Sequence, residues 1–284
     1  MSLDELTGRR YGPVQVQIYA GQVGAYVEAT GDDIDRWRCF APPSFAGALL
    51  FAVAPAFLAD PIVVGEVRAV LHGEQTFTWH RPLRIGRPLS VTGTVERVRS
   101  RGRTAFITFG LEVADAEAAE PIVQGRSTFA AFAEATGPGN DAGEPDVAER
   151  GRNDRASGLE FPPAGAHIEP LEKSASRADL VRYAGASHDW NPIHWDHASA
   201  VAVGLEGVIV HGLLAAAWVT QAVARYVPGE RPIVDARFRF RSPLRPGVET
   251  RVVGEVIDDA AGRFRAALQS ETGTHVTADL AVTR

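Results

Sequence analysis

Apolar and polar positions alternate with a period of two through much of the chain, and twice the alternation gives way to an apolar, Ala-rich run opened by a glycine. Successive side chains of a strand point to opposite faces, so alternation bounded by Gly and Pro turns predicts antiparallel strands with one buried face. In the first half this covers Val14 to Ile18, Thr76 to His80, Arg103 to Val113 and Ile122 to Phe132; in the second, Arg237 to Arg241, Arg263 to Leu268 and His275 to Val282. The two apolar runs, Gly47 to about Leu58 and Gly212 to about Tyr226, predict central helices.

The pattern repeats. Tyr26, Ala29, Thr30 and Asp32 recur as Tyr183, Ala186, Ser187 and Asp189 at a constant offset of 157. Phe45 to Leu50 resembles Val210 to Ala215 at 165, and the turn Pro82-Leu83-Arg84 followed by Gly86 returns as Pro243-Leu244-Arg245 and Gly247 at 161. Matched segments in the same order predict a duplicated α+β unit, one helix with an antiparallel sheet. The expected division is 1–133, a linker at 134–165 rich in Gly, Pro and charged residues, and 166–284.

The length of 284 residues suits two such units, each with its own core. With 45% hydrophobic and 23% charged residues the composition is that of a globular protein, and a net charge of −6 disfavours nucleic acid or an anionic membrane as partner. The run from Phe45 to Ala59 is short for a membrane span and contains Pro55, so no membrane insertion is expected. No signal-peptide core opens the chain, and the single cysteine, Cys39, rules out an intrachain disulfide; a cytoplasmic protein is the expectation.

The chemistry concentrates in Asp189-Trp190-Asn191-Pro192-Ile193-His194, followed by Trp195-Asp196 and then by His211-Gly212-Leu213. Pro192 forces a bend and Asn191 braces it, so a carboxylate and an imidazole can converge on one water as acid and base. With Tyr183 to His188 before it and Val208 to Leu213 after it, this stretch resembles the MaoC-like family of R-specific enoyl-CoA hydratases and hydroxyacyl-thioester dehydratases, in its two-domain form. The resemblance implies a double hot-dog fold, an Asp189/His194 pair acting on an acyl thioester, syn addition of water to give the R-3-hydroxyacyl product, and no cofactor. Where the family usually has Gly before the Asp, this chain has His188. The first half lacks Asn-Pro-x-His after Asp32 and has Ala46 at the place of His211, so it reads as a degenerate copy; the resemblance implies that it walls an acyl tunnel.

Gly212, at the expected N-terminus of the second central helix, is a candidate donor to the thioester oxygen, with simple packing as the plain alternative for it and for Gly47. His211 is read as a brace for the helix start or the catalytic turn, and Thr220 as a hydroxyl two turns on that either nears the carbonyl or bonds its own helix. His188 and Asn191 complete the candidate pocket. The cluster of His188, Asp189, His194, Asp196, His197 and His211 raises a metal-dependent hydrolase as a rival, but its spacing matches no common metal motif, and no metal is expected. Arg237, Arg239 and Arg241 form a basic strand face, either solvated or meeting the phosphates of coenzyme A or an acidic acyl-carrier protein. A thioesterase and a non-catalytic acyl-thioester-binding protein remain the alternatives, and monomer and homodimer are both open.

Overall fold

The computed structural model describes residues 2–133 and 158–284. Among them ten strands form one antiparallel sheet: β1 (Arg10–Gln17), β2 (Ala69–Trp79), β3 (Pro88–Arg101), β4 (Thr104–Asp115), β5 (Pro121–Phe132), β6 (Leu171–Lys173), β7 (Ile233–Phe240), β8 (Thr250–Asp258), β9 (Arg263–Ser270) and β10 (Gly273–Val282). The spatial order is β1-β3-β4-β5-β2-β7-β10-β9-β8-β6, so each half presents the same succession outward from the central β2–β7 pair. At that seam Thr76 lies opposite Arg237, Gln75 opposite Phe238 and Phe77 opposite Ala236. Thr76 and Arg237 are equivalent at the offset of 161, so the halves meet around a pseudo-two-fold axis, as two identical subunits would.

The helices are α1 (Ala20–Thr30), α2 (Ala46–Leu50), α3 (Ala54–Leu58), α4 (Pro61–Glu66), α5 (Arg177–Ser187), α6 (His197–Ala202) and α7 (Gly212–Ala224). α1 and α5 are the same eleven positions at the offset of 157, and both end on a left-handed residue, Gly31 and His188, each at φ 63°. In both, the last hydroxyl donates back one turn, Thr30 Oγ1 to Tyr26 O at 2.9 Å and Ser187 Oγ to Tyr183 O at 2.7 Å. Every residue of α7 after Gly212 is buried. A helix apolar on all sides belongs in the middle of a core, and α7 packs against β6 to β10, each buried Leu or Val contributing roughly 1.5–3 kcal/mol. This is a double hot-dog fold of the α+β class.

The first half departs from the expected single helix of Gly47 to Leu58. Its chain tightens after α2, with Phe51, Ala52 and Val53 amides bonding three residues back at 3.1 to 3.2 Å, and resumes as α3. Pro55 is the cause: it has no N–H to offer the Phe51 carbonyl, and its ring would strike that oxygen in a continuous helix. Pro61 then opens α4, capped by Asp60 Oδ1 at 3.0 Å from the Ile62 amide.

Of the expected linker, residues 134–157 lie outside the described residues. From 158 onward the chain lies on the second unit: the Gly158 and Leu159 amides donate to Arg225 O, and the Phe161 ring meets Phe264 edge-on. No helix among the described residues is long and apolar enough to cross a membrane.

Candidate active site

The left-handed turn at His188 reverses the chain after α5 and sends Asp189 inward, where its amide donates to Ser187 Oγ at 3.2 Å. Asn191, held out of helical angles by Pro192, accepts a long 3.4 Å bond from the Ile193 amide, and Pro192–His194 forms one turn of 3₁₀ helix. That turn carries His194 back toward Asp189, and both side chains are buried. His194 Nδ1 lies 2.8 Å from the Ile209 carbonyl. A carbonyl only accepts, so Nδ1 holds the proton and Nε2 is left with a bare lone pair.

His211, fully buried, precedes α7, and no side chain caps the first turn of that helix. Its Nε2 is 3.2 Å from the Asp189 backbone carbonyl, and its ring stacks on His194 with centroids 3.8 Å apart and planes at 24°. Burial pushes the Asp189 carboxyl up to about 7 against a small opposing effect of the Asn191 amide. Burial likewise pushes His194 down to about 4, against the Ile209 bond, and His211 well below its ordinary value, the neighbouring His194 adding to that push. Burial therefore favours a neutral imidazole on His194 and the protonated form of the Asp189 carboxyl.

One ligand atom each of Asp189, His194 and His211 fall within 4.8 Å of one another, the separation at which three groups surround one water. The same spacing would also admit a metal ion between Asp189, His194 and His211.

A cavity of about 1200 Å³ opens on this cluster. Asp189, His194, Gly212, His188, Asn191 and Arg241 line it at one end; at the other it runs between Leu50, Ala54, Pro55, Phe57, Val63 and Phe129, into the space left by the interrupted first-half helix. The sequence reading missed three contributors. The Ile209 carbonyl, as a backbone group, leaves no residue-type signal, and Phe240 and His72 reach the site only through the β2–β7 seam, where their rings lie 4.8 Å apart.

Three predicted residues stand elsewhere. Thr220 spends its hydroxyl on the Ala216 carbonyl at 2.8 Å and does not line the cavity. Arg237 and Arg239 both pair with Glu74, at 2.7 and 3.4 Å, and Arg239 also with Asp279, so they belong to an ion network on the outer sheet face. Only Arg241 of the stripe reaches the cavity wall, its Nε donating to Thr277 Oγ1 at 3.1 Å. Gly212 also has a packing reason: a Cβ there would come within 3.1 Å of the Phe240 ring, as one at Gly47 would come within 3.3 Å of Leu213.

A buried carboxyl and a buried imidazole thus line a largely apolar cavity on a duplicated hot-dog unit. Residues 161–278 match the MaoC like domain and residues 5–124 the FAS1-like dehydratase domain region. The chain belongs to the MaoC-like dehydratase family. It is 31% identical over 137 residues to UPF0336 protein SCO4636 of Streptomyces coelicolor, covering 43% of this chain and 91% of that one. It is 32% identical over 115 residues to 3-hydroxybutyryl-CoA dehydratase of Methylorubrum extorquens, covering 39% and 73%. Among solved structures, a MaoC-like dehydratase superposes with a TM-score of 0.81 at 21% identity over 99% of both chains. A Mycobacterium tuberculosis protein described as a double hot-dog superposes at 0.63 with 14% identity, over 97% of this chain and 96% of that one.

Proposed function

We propose that the chain is a cofactor-free hydro-lyase that adds water across the 2,3 double bond of an enoyl thioester to give the R-3-hydroxyacyl thioester, or runs the reverse. The observation that carries this is the geometry of the pair: His194 Nδ1 donates to the Ile209 carbonyl, which leaves Nε2 bare beside the buried Asp189 carboxyl, whose pKa burial raises to about 7. In the hydration direction His194 Nε2 takes a proton from the water as its oxygen bonds to C3. The π electrons move toward the thioester oxygen, which the uncapped amides at the start of α7 receive. Asp189 then gives its proton to C2, the carbonyl re-forms, and a proton passes from His194 to Asp189 to restore the pair. Acid and base stand on one wall, so both additions fall on the same face of the alkene.

The thioester is carried on coenzyme A or an acyl-carrier protein, with Arg241 at the cavity wall placed for phosphate and Asn191 and His188 beside the reacting carbons. The apolar branch beside Pro55 takes a long or bulky acyl chain.

Incubation with a trans-2-enoyl-CoA tests the reading: enoyl absorbance falls, no free thiol forms, and chiral analysis finds the R alcohol. Free thiol would make the chain a thioesterase, and no turnover would leave it a binding protein. The pH profile tests the roles. With Asp189 as acid and His194 as base, kcat/KM for hydration rises as pH climbs through about 4 and falls as it passes about 7. A carboxylate base would reverse the second limb, with activity rising through about 7.

A further inference from the structure

The proposed reaction gives His211, expected from the sequence only to brace the helix start or the catalytic turn, no proton to carry. Its Nε2 faces a carbonyl, so that nitrogen carries the proton and Nδ1 is bare; Nδ1 is buried and has no hydrogen-bond partner among the described residues. Enclosing an unsatisfied nitrogen is costly, so stability alone would favour an apolar side chain here. The duplicated half makes the comparison directly. Ala46 holds the equivalent place before Gly47, is also fully buried, and serves the same fold. An imidazole at this position is therefore not something the hot-dog unit requires.

What the imidazole adds is contact with both members of the proposed pair: its Nε2–H holds the Asp189 backbone carbonyl and its ring face lies against His194, while its residue stands just before α7. We propose that His211 is a positioning residue, which locks the acid, the base and the helix N-terminus into one body and backs the His194 ring while that ring carries the proton taken from water. An imidazolium over the π face of a neutral ring is stabilised, whereas one beside a second imidazolium is not. Burial and the neighbouring His194 hold His211 neutral through the working range. The inference rests on the hydratase reading, because it assigns His211 no proton transfer and no substrate contact.

Two variants separate its contacts. His211→Phe keeps a ring face and loses the N–H; His211→Gln keeps a donor and loses the face. In folded protein, kcat should fall by about 10- to 100-fold in each, with KM changed by less than about threefold, because the loss is of transition-state alignment rather than of binding. Since His211 acts through the pair, His211→Phe placed on His194→Ala should cost less than about threefold further. A folded His211→Phe or His211→Gln with wild-type kcat would overturn the proposal, as would a full multiplicative loss on the His194→Ala background. If His194→Ala and Asp189→Asn themselves kept wild-type hydration, the functional reading would fall. Inert His211 variants beside inactive Asp189 and His194 variants would sink this inference alone.

Discussion

The two halves are one backbone used in two ways. Asp32 and Asp189 follow equivalent helices at the offset of 157, and desolvation raises the carboxyl pKa of both. At the same offset Trp37, buried, stands where His194 stands, and Gly31 where His188 stands. The surroundings of Asp32 are filled from the other half: Lys173 Nζ donates to Gly31 O at 2.8 Å, Gln221 Nε2 to Thr30 O at 3.1 Å, and Arg36 binds the Ala224 and Val227 carbonyls at the end of α7. These contacts make the turn after α1 a fastening between the halves. Both halves hold a carboxyl raised by burial, but among the described residues only beside Asp189 do a bare imidazole nitrogen and an open volume stand with it. The helices divide the other way: α7 is continuous and buried in its unit, whereas residues on either side of the α2–α3 break, Leu50, Phe51, Ala54 and Pro55, line the cavity that Asp189 and His194 also face.

His194→Ala should lower kcat for hydration by about a hundred-fold or more, since removing a general base typically costs 10²–10⁴. Its counterpart Trp37→Phe should leave kcat within about twofold and instead lower stability by roughly 1–3 kcal/mol, read by denaturant melts. A large kcat loss in Trp37→Phe with stability unchanged would erase the distinction between the halves.

Filling the first-half gap with Ala54→Trp should raise KM for long enoyl thioesters by about tenfold and leave short ones within about twofold. Equal effects on both would separate the break from the acyl path.

Ionisation of Asp189 sharpens the comparison through stability. Its folded pKa of about 7 exceeds the unfolded value, so stability is fullest below the unfolded pKa and declines as pH rises through about 7. Asp189→Asn should therefore be more stable than wild type at pH 8, by up to about 4 kcal/mol, with the gain vanishing near pH 4. Urea melts at the two pH values check it, and an equal difference at both would contradict a buried, raised carboxyl.

Smaller effects divide the arginines. Arg241→Ala should raise KM for coenzyme A esters about threefold or more in a salt-sensitive way and spare pantetheine esters. Arg237→Ala and Arg239→Ala, whose charges are spent on Glu74 and Asp279, should change KM by less than about twofold. Smallest is His188→Gly, which relieves a left-handed histidine and should gain about 0.5–1 kcal/mol, while shifting preference toward bulkier acyl groups. An unchanged substrate profile would remove His188 from the pocket.

The duplication and the turn that brings Asp189 and His194 together were legible because both are local in sequence. Tyr26 to Asp32 and Tyr183 to Asp189 carry the repeat in their residue types, and Asn191-Pro192 fixes the bend without help from the rest of the fold. The helix break was written at Pro55, but the apolar run around it masked the signal. α1 and α5 escaped because glycines and a weak apolar face blur their period. The ion pairs of Arg237 and Arg239 join residues 163 and 40 positions apart, and no spacing rule finds partners brought together by sheet register. The tautomer of His194 depends on a backbone carbonyl, which every residue has, so only the fold could reveal it.

The most direct test is to measure hydration of one enoyl-CoA by Asp189→Asn and Asp32→Asn side by side, both verified as folded. The expected result is a loss of about a hundred-fold or more in kcat for Asp189→Asn and less than about twofold for Asp32→Asn. Comparable losses in the two variants, or wild-type turnover in Asp189→Asn, would contradict a single active site built on the second half.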